Sequence, residues 1–181
     1  MQQEPARIVL VTDGTSGIGA EVAQHLADAD THVVRAGSTV EASAMIDSIH
    51  SRFGRLDSLI LTAGSDVSQG LDRDADRRLA LRALPVMPEG GRIVFATTHQ
   101  AHFFPTKAVP KGYAAVAASM RANETALYTM RPEFHRAGVH FTVVSGDLHD
   151  TNFPAAVVNA VNTDNPTGMV YVGSANFLMT A

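Results

Sequence analysis

Three short stretches of the chain gather the side chains that can move protons. The first holds Thr97, Thr98, His99 and His102, the second Tyr113, and the third Asp147, His149 and Asp150. A histidine paired with an aspartate can act as a general base, and a phenol can donate a proton to a carbonyl oxygen that a neighbouring hydroxyl orients. Two histidines and a carboxylate can also hold a metal. The spacing His99-x-x-His102 is not a recognised zinc signature, so no metal site is expected. The chain contains no cysteine, which removes disulfides, thiolate zinc sites and a cysteine nucleophile. Tyrosine, threonine, histidine and carboxylates are what remains for chemistry.

Such groups act only where a scaffold brings them together, and the apolar pattern says what that scaffold is. Short β-branched runs alternate with longer helical patterns: Ile8 to Val11, His32 to Val34, Leu56 to Thr62, Arg92 to Ala96, Val139 to Val144 and Met169 to Val172 read as strands. Between them lie helical stretches. The first carries Val22, Leu26 and Ala29, the second Val40, Ala44, Ile49 and Phe53, and the third covers Asp72 to Leu84. A fourth carries Val116, Met120, Leu127 and Phe134, and a short one covers Ala155 to Val161, while His99 to Lys111 reads as a long loop. Strands alternating with helices predict an α/β fold, a single Rossmann-like, doubly wound parallel sheet over residues 1–181. In such a sheet ligands bind beyond the carboxyl ends of the strands, where all three chemical stretches fall.

Composition narrows the class. The chain has 181 residues, 45% of them apolar and 18% charged, which is enough for one core without disulfide staples. Its net charge of −4, with scattered lysines and arginines, excludes a nucleic-acid footprint. No apolar run is long enough to span a membrane and no basic leader precedes Ile8, so residence in the cytoplasm is expected.

Four motifs in order resemble the short-chain dehydrogenase/reductase family. Thr12-Asp13-Gly14-Thr15-Ser16-Gly17-Ile18-Gly19 resembles the family's glycine-rich loop, and Phe53-Gly54-Arg55-Leu56-Asp57 through Ala63-Gly64 resembles its third motif strand and the turn that ends it. Gly91-Arg92-Ile93-Val94 followed by Thr97-Thr98 resembles the strand that carries the family's serine, and Val143 to Gly146 falls where the family has its V-x-P-G. The resemblance implies a carbonyl or alcohol oxidoreductase that uses NAD or NADP on a small organic substrate. Gly14, Thr15, Ser16, Gly17, Ile18, Gly19, Ala63 and Gly64 would then hold the dinucleotide, its pyrophosphate lying at the helix N-terminus. After the second strand stand Arg35-Ala36-Gly37-Ser38-Thr39 with no carboxylate before Glu41, which leans to NADP. A homodimer or homotetramer through the helices flanking the Thr98 strand is implied as well.

The departures are as informative. Asp13 stands at the family's first glycine, and the stretch from Gly19 to Gly64 holds only helix, strand, helix and strand, one βα unit fewer than the family has. The family's tyrosine and lysine fall on Val116 and Met120 in one register. In the other, Tyr113 is the acid and Ala117 stands four places on, so the lysine is absent either way. Thr98 matches the serine. The candidate catalytic residues are Tyr113, Thr98 and His99. Two functions stay open: a diverged NAD(P)-dependent oxidoreductase, and a protein that keeps the fold without redox turnover, either a non-redox isomerase or cyclase or a noncatalytic binding subunit.

Overall fold

Each of the short apolar runs becomes a strand of one sheet in the computed structural model, which describes residues 5–28, 30–62, 72–147 and 149–173. The strands are β1 (Arg7–Val11), β2 (Thr31–Arg35), β3 (Ser58–Thr62), β4 (Arg92–Thr98), β5 (His140–Gly146) and β6 (Met169–Tyr171). They lie in the order β2-β1-β3-β4-β5-β6, every neighbouring pair parallel. The chain first moves outward from β1 to β2, then crosses back to β3 on the other side of β1. The crevice beyond β1 and β3 is therefore the topological switch point at which an open α/β sheet binds its ligand.

Alternation along the strands sorts the core into two layers. Ile8 and Leu10 of β1 face one side and Val9 and Val11 the other. The first side is covered by α2 (Thr39–Phe53), α3 (Ala75–Ala83), α5 (Ala114–Thr129) and α6 (Arg131–Arg136) through Ile46, Leu79, Leu127 and Phe134. The second is covered by α1 (Gly17–Leu26) and α7 (Phe153–Asn162) through Val22, Leu26, Val157 and Val161. No described helix is long and apolar enough to cross a membrane.

Local chemistry sets the element ends. The helical pattern from Val116 to Phe134 is two helices, because Pro132, at the start of α6, lacks the amide that a continuous helix needs there. In α2 the buried residues are Ala42, Ile46 and Ile49, while Val40 is 82% exposed and Ala44 is exposed, so the inward stripe keeps Ile49 and is otherwise set two positions on from Val40 and Ala44. The stretch after β4 is not all loop. The Thr98 hydroxyl accepts the Ala101 amide at 3.0 Å and starts the one-turn helix α4 (His99–His102). Asp57 precedes β3 instead of joining it, and its carboxylate accepts the Ile8 amide at 2.7 Å.

At the switch point β1 and β3 are joined by side chains as well as by the ladder. The Thr12 hydroxyl accepts the Thr62 amide at 2.9 Å, and the Thr62 hydroxyl donates to the Thr12 carbonyl at 2.5 Å.

Candidate active site

The glycine loop leaves β1 at Thr12 and enters α1 at Gly17. A Cβ on Gly19 would lie 2.3 Å from the Asp13 carbonyl oxygen, so the loop is pressed against the first turn of α1. Gly17 takes φ +52, and Asp13 takes φ 48, a left-handed conformation that aspartate tolerates better than most side chains. Asp13 thus takes a backbone shape that glycine adopts at no steric cost. Ser16 caps α1 without a side-chain hydrogen bond, and the first turn holds no acidic residue. Thr15, Ser16 and Gly17 are exposed. A close-packed glycine turn running into an uncapped helix N-terminus fits a pyrophosphate. Ala63 and Gly64 lie outside the described residues.

The end of β2 carries both charges that can read the adenine ribose. Arg35 is exposed there, and its Cβ would sit 3.2 Å from a Cβ on Gly14. Glu41 stands six residues on, yet a capping box folds it back: Ser38 Oγ accepts the Glu41 amide at 3.1 Å and Glu41 Oε2 accepts the Gly37 amide at 2.7 Å. That carboxylate therefore lies beside the end of the strand, in a position that its place in the sequence conceals.

Across the sheet, beyond β4, two hydroxyls meet. Tyr113, at the start of α5, places its phenol oxygen 3.2 Å from Thr98 Oγ1. The phenol also donates to Met120 Sδ at 3.6 Å, while Val116 joins the apolar cluster of Ala101, Ala117 and Met120. Of the two registers open in the sequence, it is Tyr113 that reaches Thr98. His99 is buried. Its Nε2 lies 2.8 Å from the Val172 carbonyl and its Nδ1 2.8 Å from Ser145 Oγ. A carbonyl can only accept, so the neutral ring carries its hydrogen on Nε2 and accepts from Ser145 at Nδ1. His99 thereby ties β4 to the ends of β5 and β6.

The third chemical stretch does not join them by any described bond. Asp147 Oδ1 accepts the His149 amide at 2.9 Å, Asp150 Oδ1 accepts the Asn152 amide at 2.8 Å, and Asp147 and His149 are exposed. These aspartates shape the turn into α7. Among the described residues no three histidines or carboxylates are grouped so as to hold a metal.

Two ionisable groups, one partly and one fully buried, were not singled out in the sequence. Asp76, in the first turn of α3, is pushed up from 3.8 to about 7 by burial, then by the charges of Asp13 and Asp72. Since the folded chain holds a proton that the unfolded chain releases above 3.8, stability falls as the pH rises through that window and the full cost is reached above about 7. Asp76→Asn is expected to stabilise the fold at pH 8 by roughly 1–2 kcal/mol, after allowing for solvent screening of a partly exposed group, and to change it little at pH 4. Urea denaturation at both pH values measures this, and an equal effect at both would refute it.

The other is Glu124, fully buried on α5 and ion-paired with Arg121. It accepts from His102 Nδ1 at 2.7 Å. The signal for it was present in the sequence: Met120, Glu124 and Leu127 share one helical stripe, and a carboxylate within an apolar stripe needs partners.

No family model and no curated protein matches the sequence. Solved structures do match. A short-chain dehydrogenase from Burkholderia cenocepacia in complex with NADP aligns at 20% identity and TM-score 0.72 over 97% of this chain and 100% of its own. The chain has the short-chain dehydrogenase fold. The promiscuous reductase LugOII, which catalyses a keto-reduction, aligns at 22% identity and TM-score 0.72 over 98% of this chain and 100% of its own. An NADH-dependent reductase complexed with NAD, A1-R′, aligns at 17% identity and TM-score 0.67 over 93% and 95%. The glycine loop, the switch-point crevice and the Thr98–Tyr113 pair thus lie on a scaffold of this type.

Proposed function

We propose that the chain is a nicotinamide-dependent reductase of a small carbonyl compound. The observation that carries this reading is the pair of hydroxyls, Thr98 Oγ1 and Tyr113 Oη, 3.2 Å apart beyond β4 on a sheet whose glycine turn fits a pyrophosphate. When bound, the dinucleotide supplies the hydride. The Thr98 hydroxyl, fixed in place by the Ala101 amide, points its own hydrogen at the substrate oxygen or at Tyr113. Tyr113 donates its proton to the carbonyl oxygen as that oxygen gains charge. From α5, Met120 brings a thioether to the phenol where the family's lysine would bring a cation. His99 serves as a positioning residue that holds the end of β5 against β4 and β6.

Calorimetric titration with NADPH and NADH tests the reading. Binding of at least one is expected, and no heat at millimolar dinucleotide would overturn it and leave the non-redox use of the fold. We place Arg35 on the extra phosphate of NADPH, with Glu41 opposing it. Arg35→Ala is then expected to weaken NADPH by roughly tenfold relative to NADH, and Glu41→Gln to strengthen NADPH. A Kd ratio that neither substitution moves would detach both residues from the cofactor.

A further inference from the structure

A second group of reactive side chains lies beyond β4 and β6 and shares no residue with the Thr98–Tyr113 pair. Its base is the buried Glu124 carboxylate, held by Arg121 and accepting from His102 Nδ1 at 2.7 and 3.0 Å. A carboxylate can only accept, so Nδ1 carries the hydrogen of the neutral ring and Nε2 is the lone-pair nitrogen. That nitrogen lies 3.3 Å from the Tyr171 phenol oxygen. Tyr171 is 48% exposed, at the end of β6, and its ring stacks on Phe103 at 6.0 Å and 10°. His102 meets both rings edge-on, at 4.8 Å from Phe103 and 5.7 Å from Tyr171. The imidazole is thus fixed by packing on two sides and by a carboxylate behind it.

Carboxylate, imidazole and hydroxyl in this order form the arrangement that activates a nucleophile: a base within hydrogen-bond reach, oriented by a third group. We propose that Glu124, His102 and Tyr171 form a second reactive centre, in which His102 withdraws the phenol proton as the Tyr171 oxygen attacks a small activated acyl compound. In the step, the bond from Oη to the carbonyl carbon forms and the bond from that carbon to the leaving group breaks. The phenol proton passes to His102 Nε2 and from there to the leaving group, and nothing is oxidised or reduced.

The charged and titratable groups around His102 support a neutral resting ring. Glu124 and Arg121 face it from α5 and Tyr171 from β6, His99 shares its helix, and Lys107 lies over the Phe103 ring at 5.5 Å. Burial first, then the Arg121 guanidinium, pushes His102 down to about 4. The lone pair on Nε2 is therefore available throughout the neutral range.

The probe is N-acetylimidazole, which acylates tyrosines and is read by peptide mass. The chain has three tyrosines, Tyr113, Tyr128 and Tyr171. An ordinary exposed phenol reacts as its phenolate, so its rate climbs about tenfold per pH unit across the neutral range. Tyr171 is expected to react first, at a rate nearly flat from about pH 6 to about pH 8, because the base is already unprotonated there. In His102→Gln and in Glu124→Gln the rate at neutral pH is expected to fall by about a hundredfold and to regain the phenolate slope. Tyr171→Phe removes the modification. Glu124 is buried and its variant can fail to fold; the pH profile of the unaltered chain then decides by itself. A rate at Tyr171 that climbs with pH like a free phenol's, or that His102→Gln leaves unchanged in a folded chain, overturns the proposal.

Discussion

Ketone reduction by the Tyr113→Phe variant is expected to fall by at least about a hundredfold in kcat while the dinucleotide Kd stays the same. In the proposed reaction the phenol, 3.2 Å from Thr98 Oγ1, meets the substrate oxygen, and the ring itself packs on the Ala101, Ala117 and Met120 cluster. Removing the oxygen therefore leaves the fold and the glycine turn intact. The same site makes an opposite change informative. Met120 Sδ lies 3.6 Å from the phenol, so Met120→Lys brings an ammonium within reach of it. A cation there favours the phenolate and lets the phenol give up its proton more readily at neutral pH. A gain of about tenfold or more in kcat is expected, with the pH optimum moved down. Stopped-flow or steady-state rates with an aromatic ketone panel measure both. Turnover that survives Tyr113→Phe would remove the phenol from the chemistry, and a Met120→Lys chain that folds but gains nothing would mean that the lone thioether is not what limits proton transfer.

The second large effect concerns stability. Gly19→Ala would force a Cβ to within 2.3 Å of the Asp13 carbonyl oxygen and 2.7 Å of its carbon, both backbone atoms of a residue already in the left-handed region. Neither side can yield without moving β1 or α1. A loss of about 2–4 kcal/mol is expected, or about 10 °C in melting temperature. Gly17 is the control. A Cβ there meets nothing within 4 Å, and Gly17→Ala bears only the strain of φ +52, about 1 kcal/mol. Equal losses at the two positions would contradict the close packing of loop on helix.

Much of this was legible in the sequence, for identifiable reasons. A parallel sheet buried on both faces writes itself as continuous apolar runs, so all six strands could be placed from residue type alone. Thr98 and Tyr113 could be named as candidates because the resemblance sets one on the family's serine and, in one of two registers, the other on its tyrosine. What could not be read was set by folding at a distance. Glu41 stands six residues beyond Arg35, inside the next helix, yet lies beside the end of the strand because Ser38 and Gly37 turn it back. Asp76 acquires its raised proton affinity first from burial and then from the charges of Asp13 and Asp72, and neither its burial nor the approach of Asp13 is written in local spacing. Tyr171 meets His102 only because β6 ends next to α4, a neighbourhood that the sheet order creates.

The threonine pair at the switch point bears on how a ligand would be received. Because the Thr62 amide is held by the Thr12 hydroxyl and the Thr62 hydroxyl by the Thr12 carbonyl, β1 and β3 cannot part at their ends without breaking both bonds in a buried setting. The floor of the crevice is then preorganised, and among the described residues of the glycine turn the ordering cost of binding falls on the exposed Thr15 to Gly17. In hydrogen exchange the Thr62 amide would open only with the sheet itself, so its protection would track global stability, while the loop above it exchanges freely until a dinucleotide settles on it.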